Sequence, residues 1–233
     1  MGNTPPKVRF PAISIAPYRD IVALIVEPRQ HPNLKHAVTR MAELYPDMLI
    51  YVYHGTNNQT FAREVLYSLI QAGQVVLFPL EESNLNAAVY NSMFKTREFW
   101  ETVNAGHALV FQTDVHMCTT PSRDLHTFLK YDYVGAPFRD FMNGGLSLRN
   151  VQAMKRVVGK KGHHAEDVFF SRVTGLHRPP HDVAALFAVQ TGNISGTPIG
   201  VHKPWHRVKQ FNPELEVICP GVQDMAARNS VTI

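Results

Sequence analysis

Cysteine is scarce in this chain. Two stand in 233 residues, Cys118 and Cys219, with no C-x-x-C pair, so neither a disulfide framework nor a cysteine zinc site is indicated and reduced thiols are the expectation. Long apolar runs are missing too: stretches such as IVALIV at 21–26 fall far short of the roughly 18 residues that suggest a membrane span. The N-terminus, MGNTPPKVRFPAISIAPYRD, carries basic residues and prolines but no continuous apolar segment of signal-peptide type. The expected location is therefore cytoplasmic, or lumenal if the chain was cut from an anchored protein. Blocks of like charge are also absent. The formal charge is +4, and the densest basic patch, KRVVGKKGHH at 155–164, is interrupted by valines and glycines, which argues against nucleic acid as a partner and leaves a small phosphorylated ligand open. With no Gly/Ser-rich linker and no internal repeat, a single domain is expected over 19–219, with tails at 1–18 and 220–233 expected to be disordered.

What is present is ample apolar material, 45% of residues, arranged in alternating patterns. DIVALIVE (20–27), MLIYVYHG (48–55) and VVLFPL (75–80) read as buried strands. Between them, 33–45 carries Leu34, Ala37, Val38, Met41 and Leu44 at helical spacing behind an Asn33 cap, and 61–73 is a helix closed by Gly73. A long third helix over 84–106 leads into a fourth strand, ALVF, which runs into QTD at 112–114. This β-α-β-α-β-α-β order predicts an α/β fold with a mostly parallel twisted sheet flanked by helices. Beyond Asp114 the alternation stops: YDYVGAPF (131–138) and NGGLSLRN (143–150) read as shorter strands, followed by two short helices and a Pro/Gly-rich tail.

Four short motifs set polar groups in apolar surroundings, and each has two readings. Asp114, ending its strand, either opens a turn or sits where open α/β sheets bind ligands. Asn143, Gly144 and Gly145 mark either a turn or a close backbone approach to a ligand. Glu166 and Asp167 open an apolar helix, where acids complement the helix dipole or where one serves as a general base. His202 and Lys203, in GVHKPWH, are either surface-loop residues or ligands.

Taken in order, QTD, NGG, AED and VHKPW resemble four recurrent elements of GT-A-fold glycosyltransferases: the metal-binding DXD, the glycine-rich loop, the xED motif and the C-terminal histidine. VALIVEPR, FW, FQTD, YDYVGAPF, NGGLSLRN, EDVFFS and GVHKPW together are similar to the glycosyltransferase-like DUF5672 family, from about residue 20 to 210. The resemblance implies a GT-A-like, Rossmann-like single domain and a transferase that moves a sugar from a nucleoside-diphosphate sugar, with UDP favoured, to a glycan or other hydroxyl acceptor. It further implies that Asp114 and His202 hold Mn²⁺ or Mg²⁺, a pairing of carboxylate and imidazole that suits those ions better than zinc. Gln112 stands where the motif usually begins with Asp, and brings hydrogen bonding without charge. Asp167 matches the carboxylate that deprotonates the acceptor in inverting enzymes, with Glu166 its neighbour or an acceptor-binding group. Asn143, Gly144 and Gly145 would line the sugar site, Glu27, Arg29, His54 and Arg97 would contact the nucleotide, and Lys203 the diphosphate. Two rivals stay open: a retaining transferase in which Asp167 binds sugar without acting as base, and a non-catalytic glycan- or nucleotide-binding scaffold.

Overall fold

Six apolar residues in a row, Ile21 to Val26, leave no polar face to turn toward water, so the strand they form must be covered on both sides. In a computed structural model, which describes residues 8, 10, 18–191, 194–206 and 212–229, that strand is β1 (Arg19–Val26), buried from Ile21 onward. Next come α1 (Leu34–Leu44), β2 (Leu49–His54), α2 (Gln59–Val65), α3 (Tyr67–Gln71) and β3 (Val75–Pro79). The chain returns through α4 (Ala87–Met93) and α5 (Arg97–Glu101) to β4 (Ala105–Phe111).

Two of the expected helices are each two short ones. The stretch 61–73 is divided at Leu66, and Gly73 follows α3 with a φ of 73°, a left-handed conformation that glycine adopts without a Cβ penalty. The stretch 84–106 breaks at Phe94 to Thr96, where Thr96 Oγ1 accepts from Phe99 N at 3.4 Å and starts α5, and Trp100 Nε1 donates to Phe94 O at 2.7 Å across the break. Trp100 and Phe94 are fully buried, so the break is a packed corner of the core. Asn33 precedes α1 as expected, but its side chain does not cap the helix; it donates to the Thr113 carbonyl instead.

The central sheet has the order β3-β2-β1-β4-β7-β6, completed by β6 (Tyr133–Phe138) and β7 (Phe141–Asn150), which follow the short β5 (Val115–Met117). The pairs β1–β2, β1–β4 and β2–β3 are parallel, while β7 runs antiparallel to β4 and β6. From β1 the chain steps outward to β2 and β3, then crosses back to β4 on the other side of β1. The carboxyl ends of β1 and β4 thus flank the point where strand order reverses, and a crevice opens there.

The second half continues with α6 (Val151–Val157), α7 (Glu166–Arg172), α8 (His181–Ala185), β8 (Ala188–Val189), β9 (Gly200–His202), α9 (Glu214–Ile218) and α10 (Val222–Arg228). The strands β5, β9 and β8 form a second, three-stranded sheet that the sequence pattern did not suggest, because strands of two or three residues carry no readable period.

The expectation for the cysteines is overturned. Cys118 and Cys219 form a disulfide across 101 residues, with Cα atoms 4.9 Å apart. Spacing gave no hint of it, because the two meet only when α9 folds over the small sheet and packs with Val189, Val201, Leu215, Val222 and Met225. Within the expected C-terminal tail, the described residues 220–229 are structured: α10 buries Val222, Met225 and Ala226. The expected N-terminal tail falls outside the described residues apart from Val8, Phe10 and Tyr18.

Candidate active site

At the sheet's reversal point lies a cleft of about 360 Å³. Glu27, Pro28 and Arg29, just past β1, form one wall, and Gln112, Thr113 and Asp114, just past β4, form the other. Glu27 is held by Arg29, whose Nε and Nη2 each donate to its carboxylate at 2.8 Å. That hydrogen bond, opposed by burial, raises the Arg29 pKa. Asn58 Nδ2 fixes the corner by donating to the carbonyls of Glu27 and Arg29, each at 2.8 Å. Gln112 Nε2 donates to the Tyr90 hydroxyl at 3.0 Å.

Asp114 reaches its position because β4 ends at Phe111 and the chain turns into β5, which pairs antiparallel with β9 in the register Val115↔His202. Its Oδ1 lies 3.3 Å from His202 Nε2, and its Oδ2 lies 3.7 Å from Lys203 Nζ. Burial alone would raise the Asp114 carboxyl, but the His202 imidazole and the Lys203 ammonium outweigh it and hold the pKa at about 2. Lys203 has a φ of 43°, unusual for a residue with a Cβ, and its backbone N–H donates to Asp114 O at 2.9 Å.

Asp114 Oδ1 and both ring nitrogens of His202 are buried without a hydrogen-bond partner. Unpartnered buried polar atoms are costly, and a carboxylate oxygen facing an imidazole nitrogen is a ligand set that a divalent cation satisfies. These residues fit the expected ion. Among the described residues no three His, Cys, Asp or Glu side chains cluster in a metal-holding arrangement.

A second cavity of about 300 Å³ adjoins the first, sharing Tyr90, Gln112 and Lys203 in its lining. Asn143, Gly145, Glu166, Asp167, Gln190 and His202 line it as well. The two glycines have distinct packing reasons. A Cβ on Gly145 would clash with the His202 ring, within 2.6 Å of its Nε2, Cε1 and Cδ2, and a Cβ on Gly144 would collide with the Glu166 carboxylate and lie 2.7 Å from Arg149 Nη2. Asn143 Oδ1 accepts from Gly145 N at 2.8 Å, while its Nδ2 donates to Asp167 Oδ2 at 3.3 Å. Asp167 Oδ1 accepts from Val168 N at 2.7 Å, so the half-buried carboxylate is oriented from both sides.

Glu166 sits differently. It is buried and accepts two bonds from Arg149, Nη1 to Oε2 at 2.7 Å and Nη2 to Oε1 at 3.1 Å. Arg149, fully buried, also donates to Ser147 Oγ at 2.9 Å and Gly144 O at 3.1 Å, and its guanidinium lies 4.8 to 5.5 Å from the ring centres of Phe94, Tyr133 and Phe170. Against the cost of burial, the Glu166 carboxylate raises the Arg149 pKa. Glu166 therefore ties the start of α7 to β7, and its carboxylate is already engaged. Arg149 was missed as a site residue, although an arginine at the end of the apolar strand LSLRN signals a buried partner.

Two expected nucleotide contacts stay out of the clefts. His54 is buried at the end of β2 with Nδ1 3.0 Å from the Gly55 carbonyl, and Arg97 lies exposed on α5, paired with Glu101 at 3.0 Å. Neither is among the residues that line the two cavities, although His54 ends the strand paired with β1. Conversely, α10 supports the site from the expected tail: Asn229 Nδ2 donates to Thr113 O at 3.1 Å, and Arg228 Nε donates to Asn33 Oδ1 at 3.1 Å while Asn33 itself holds Thr113 O.

This architecture is the GT-A fold. The galactosyltransferase LgtC, solved in complex with donor and acceptor sugar analogs, superposes with a TM-score of 0.56 at 13% identity, over 91% of this chain and 96% of that one. An active-site mutant of LgtC matches with the same figures. The mannosyltransferase PcManGT from Pyrobaculum calidifontis, in complex with GDP-Man and Mn²⁺, matches at TM-score 0.47 and 14% identity, over 66% of this chain and 52% of that one. The chain belongs to the DUF5672 family, described as a protein of unknown function, whose model matches residues 73–202. Among curated proteins the sequence has no match.

Proposed function

We propose that this chain is a metal-assisted glycosyltransferase that moves a sugar from a nucleoside-diphosphate sugar, with UDP the favoured nucleotide, to a hydroxyl acceptor with inversion. The observation that carries the reading is the pair of adjoining cavities: Asp114 and His202, with orphaned acceptor atoms, stand at their junction, and the oriented Asp167 carboxylate stands in the second.

In this reading the first cavity takes the nucleotide, between the β1 and β4 ends, and Lys203 faces the diphosphate. A divalent cation held by Asp114 and His202 would supply charge to offset that developing on the leaving diphosphate. Gln112 hydrogen-bonds a donor hydroxyl, Gly145 lets His202 pack against β7, and Asn143 holds Asp167 toward the cavity. Asp167 takes the acceptor's proton as the new bond forms, and Arg149, through Glu166, fixes the helix start from which Asp167 projects. The binding-only alternative has one observation in its favour: Gln112 stands where an acidic residue would strengthen metal binding. Calorimetric titration of UDP, with and without Mn²⁺, into wild type, Asp114→Ala and Gln112→Ala tests the site. The expected result is metal-assisted binding that drops sharply in Asp114→Ala and less in Gln112→Ala; unchanged binding in Asp114→Ala would mean that the carboxylate only ends a strand.

A further inference from the structure

Gln190 is 1% exposed, yet its Oε1 has no hydrogen-bond partner. A buried amide oxygen left unsatisfied costs on the order of 1–3 kcal/mol, so its retention calls for a partner that the folded chain does not supply. The position of Gln190 indicates where that partner comes from. It lines the cavity that holds Asp167 and also a separate cavity of about 270 Å³, and it is the lining residue that the two have in common. The farther cavity has apolar sides, formed by Pro137, Ala185, Ala188 and Val189, with the exposed His181 and Asp182 at its edge. It is walled by the turn of α8 into β8 and by β6, elements that contribute nothing to the nucleotide cleft.

We infer that the cavity behind Gln190 is an acceptor subsite, in which the Gln190 amide oxygen accepts a hydroxyl of the acceptor and the apolar walls receive a nonpolar group attached to it, as in an aryl or alkyl glycoside. The inference rests on the transferase reading above and narrows its acceptor to an amphipathic hydroxyl compound. A purely polar sugar would leave the Pro137, Ala185 and Val189 walls wetted, whereas an aromatic ring or short alkyl chain removes them from water. A glutamine kept for the fold would cost stability when replaced, whereas replacing an amide that the fold leaves unsatisfied by an apolar side chain of similar size should leave stability unchanged or raise it.

The test is calorimetric titration of p-nitrophenyl and methyl glycosides of glucose and galactose into the full chain loaded with UDP and Mn²⁺. Wild type should bind the p-nitrophenyl glycosides about tenfold more tightly than the methyl ones. Gln190→Leu should weaken both by roughly five- to tenfold, with UDP affinity and Tm not lowered. Ala185→Phe, which fills the farther cavity from its wall, should erase the preference for p-nitrophenyl glycosides and leave methyl glycoside and UDP binding intact. The inference is overturned if UDP binds but the glycosides do not, if neither variant changes glycoside binding, or if Gln190→Leu lowers Tm without weakening the glycosides. Failure of UDP itself to bind wild type would sink the transferase reading and this inference with it.

Discussion

Removing Arg149 should be the most damaging single change to stability, and the structure supplies the size of the effect. The guanidinium is fully buried, makes four hydrogen bonds to Glu166, Gly144 and Ser147, and lies against three aromatic rings. Arg149→Met keeps most of the volume but strands a buried carboxylate, a loss of about 3–5 kcal/mol by the behaviour of broken buried ion pairs. That is a large part of the roughly 5–15 kcal/mol that holds a domain folded. Glu166→Gln is milder, because the amide still accepts one bond from Arg149, and about 2 kcal/mol is expected. The decisive variant is the double one, Arg149→Met with Glu166→Leu, which removes both charges together. It should recover to within about 2 kcal/mol of wild type, since desolvation cancels most of what a buried pair contributes. Urea unfolding followed by the fluorescence of buried Trp100 measures all four proteins. A double variant no more stable than Arg149→Met alone would refute the reasoning, because removing the stranded carboxylate would then recover nothing.

Further outcomes follow from the same geometry. Cys219→Ser, or reduction of the wild type, opens a disulfide across 101 residues, for which a loss of up to about 4.7 kcal/mol is expected, with weaker UDP–Mn²⁺ binding because α10 supports Thr113; scanning calorimetry and titration read both. Gly145→Ala should displace His202, whose ring occupies the space of the new methyl, and abolish the Mn²⁺ enhancement of UDP binding while UDP alone binds as before. Burial lowers the His107 pKa, partly offset by the Leu129 backbone, so the folded chain binds fewer protons than the unfolded one, and stability should fall as pH drops below about 6.5. In His107→Gln the slope of Tm against pH should be shallower over that range; an unchanged slope would assign the acid sensitivity elsewhere.

The parts of the fold legible in the sequence were those set by a local period. IVALIV could only be a doubly covered strand, and the spacing of Leu34, Val38 and Met41 could only be one face of a helix. Parallel order followed from their alternation. Thr96 hid the division of the third helix, because a capping threonine inside an apolar stretch reads as one more helical residue. The disulfide and the small sheet were invisible because both are made by partners far apart in the chain, in strands too short to show a pattern. At the site, Asp114, Asn143, Gly145, Asp167, His202 and Lys203 are brought together as their motifs suggested, along with Glu27, Arg29 and Gln112 around the adjoining cleft. His54, expected at the site as the polar group after the second strand, and Arg97, expected there from the third helix, line neither cavity, because a place at a strand end or on a helix does not say which way a side chain faces. Glu166 was read as the neighbour of Asp167 or an acceptor-binding group, and its engagement by Arg149 was hidden because that arginine lies 17 residues earlier on another element.

The most direct test of transfer itself is proton NMR of the sugar released or transferred from α-linked UDP-glucose and UDP-galactose in the presence of Mn²⁺, with wild type and Asp167→Asn. A group acting as general base contributes about 10²- to 10⁴-fold in rate without contributing to donor binding. The account predicts a β-configured product from wild type and, in Asp167→Asn, donor binding that persists while product formation falls by at least about a hundredfold. An α-configured first product, or Asp167→Asn turning over at the wild-type rate, would contradict inversion through Asp167. No release of the nucleoside diphosphate from any nucleoside-diphosphate sugar would contradict catalysis altogether.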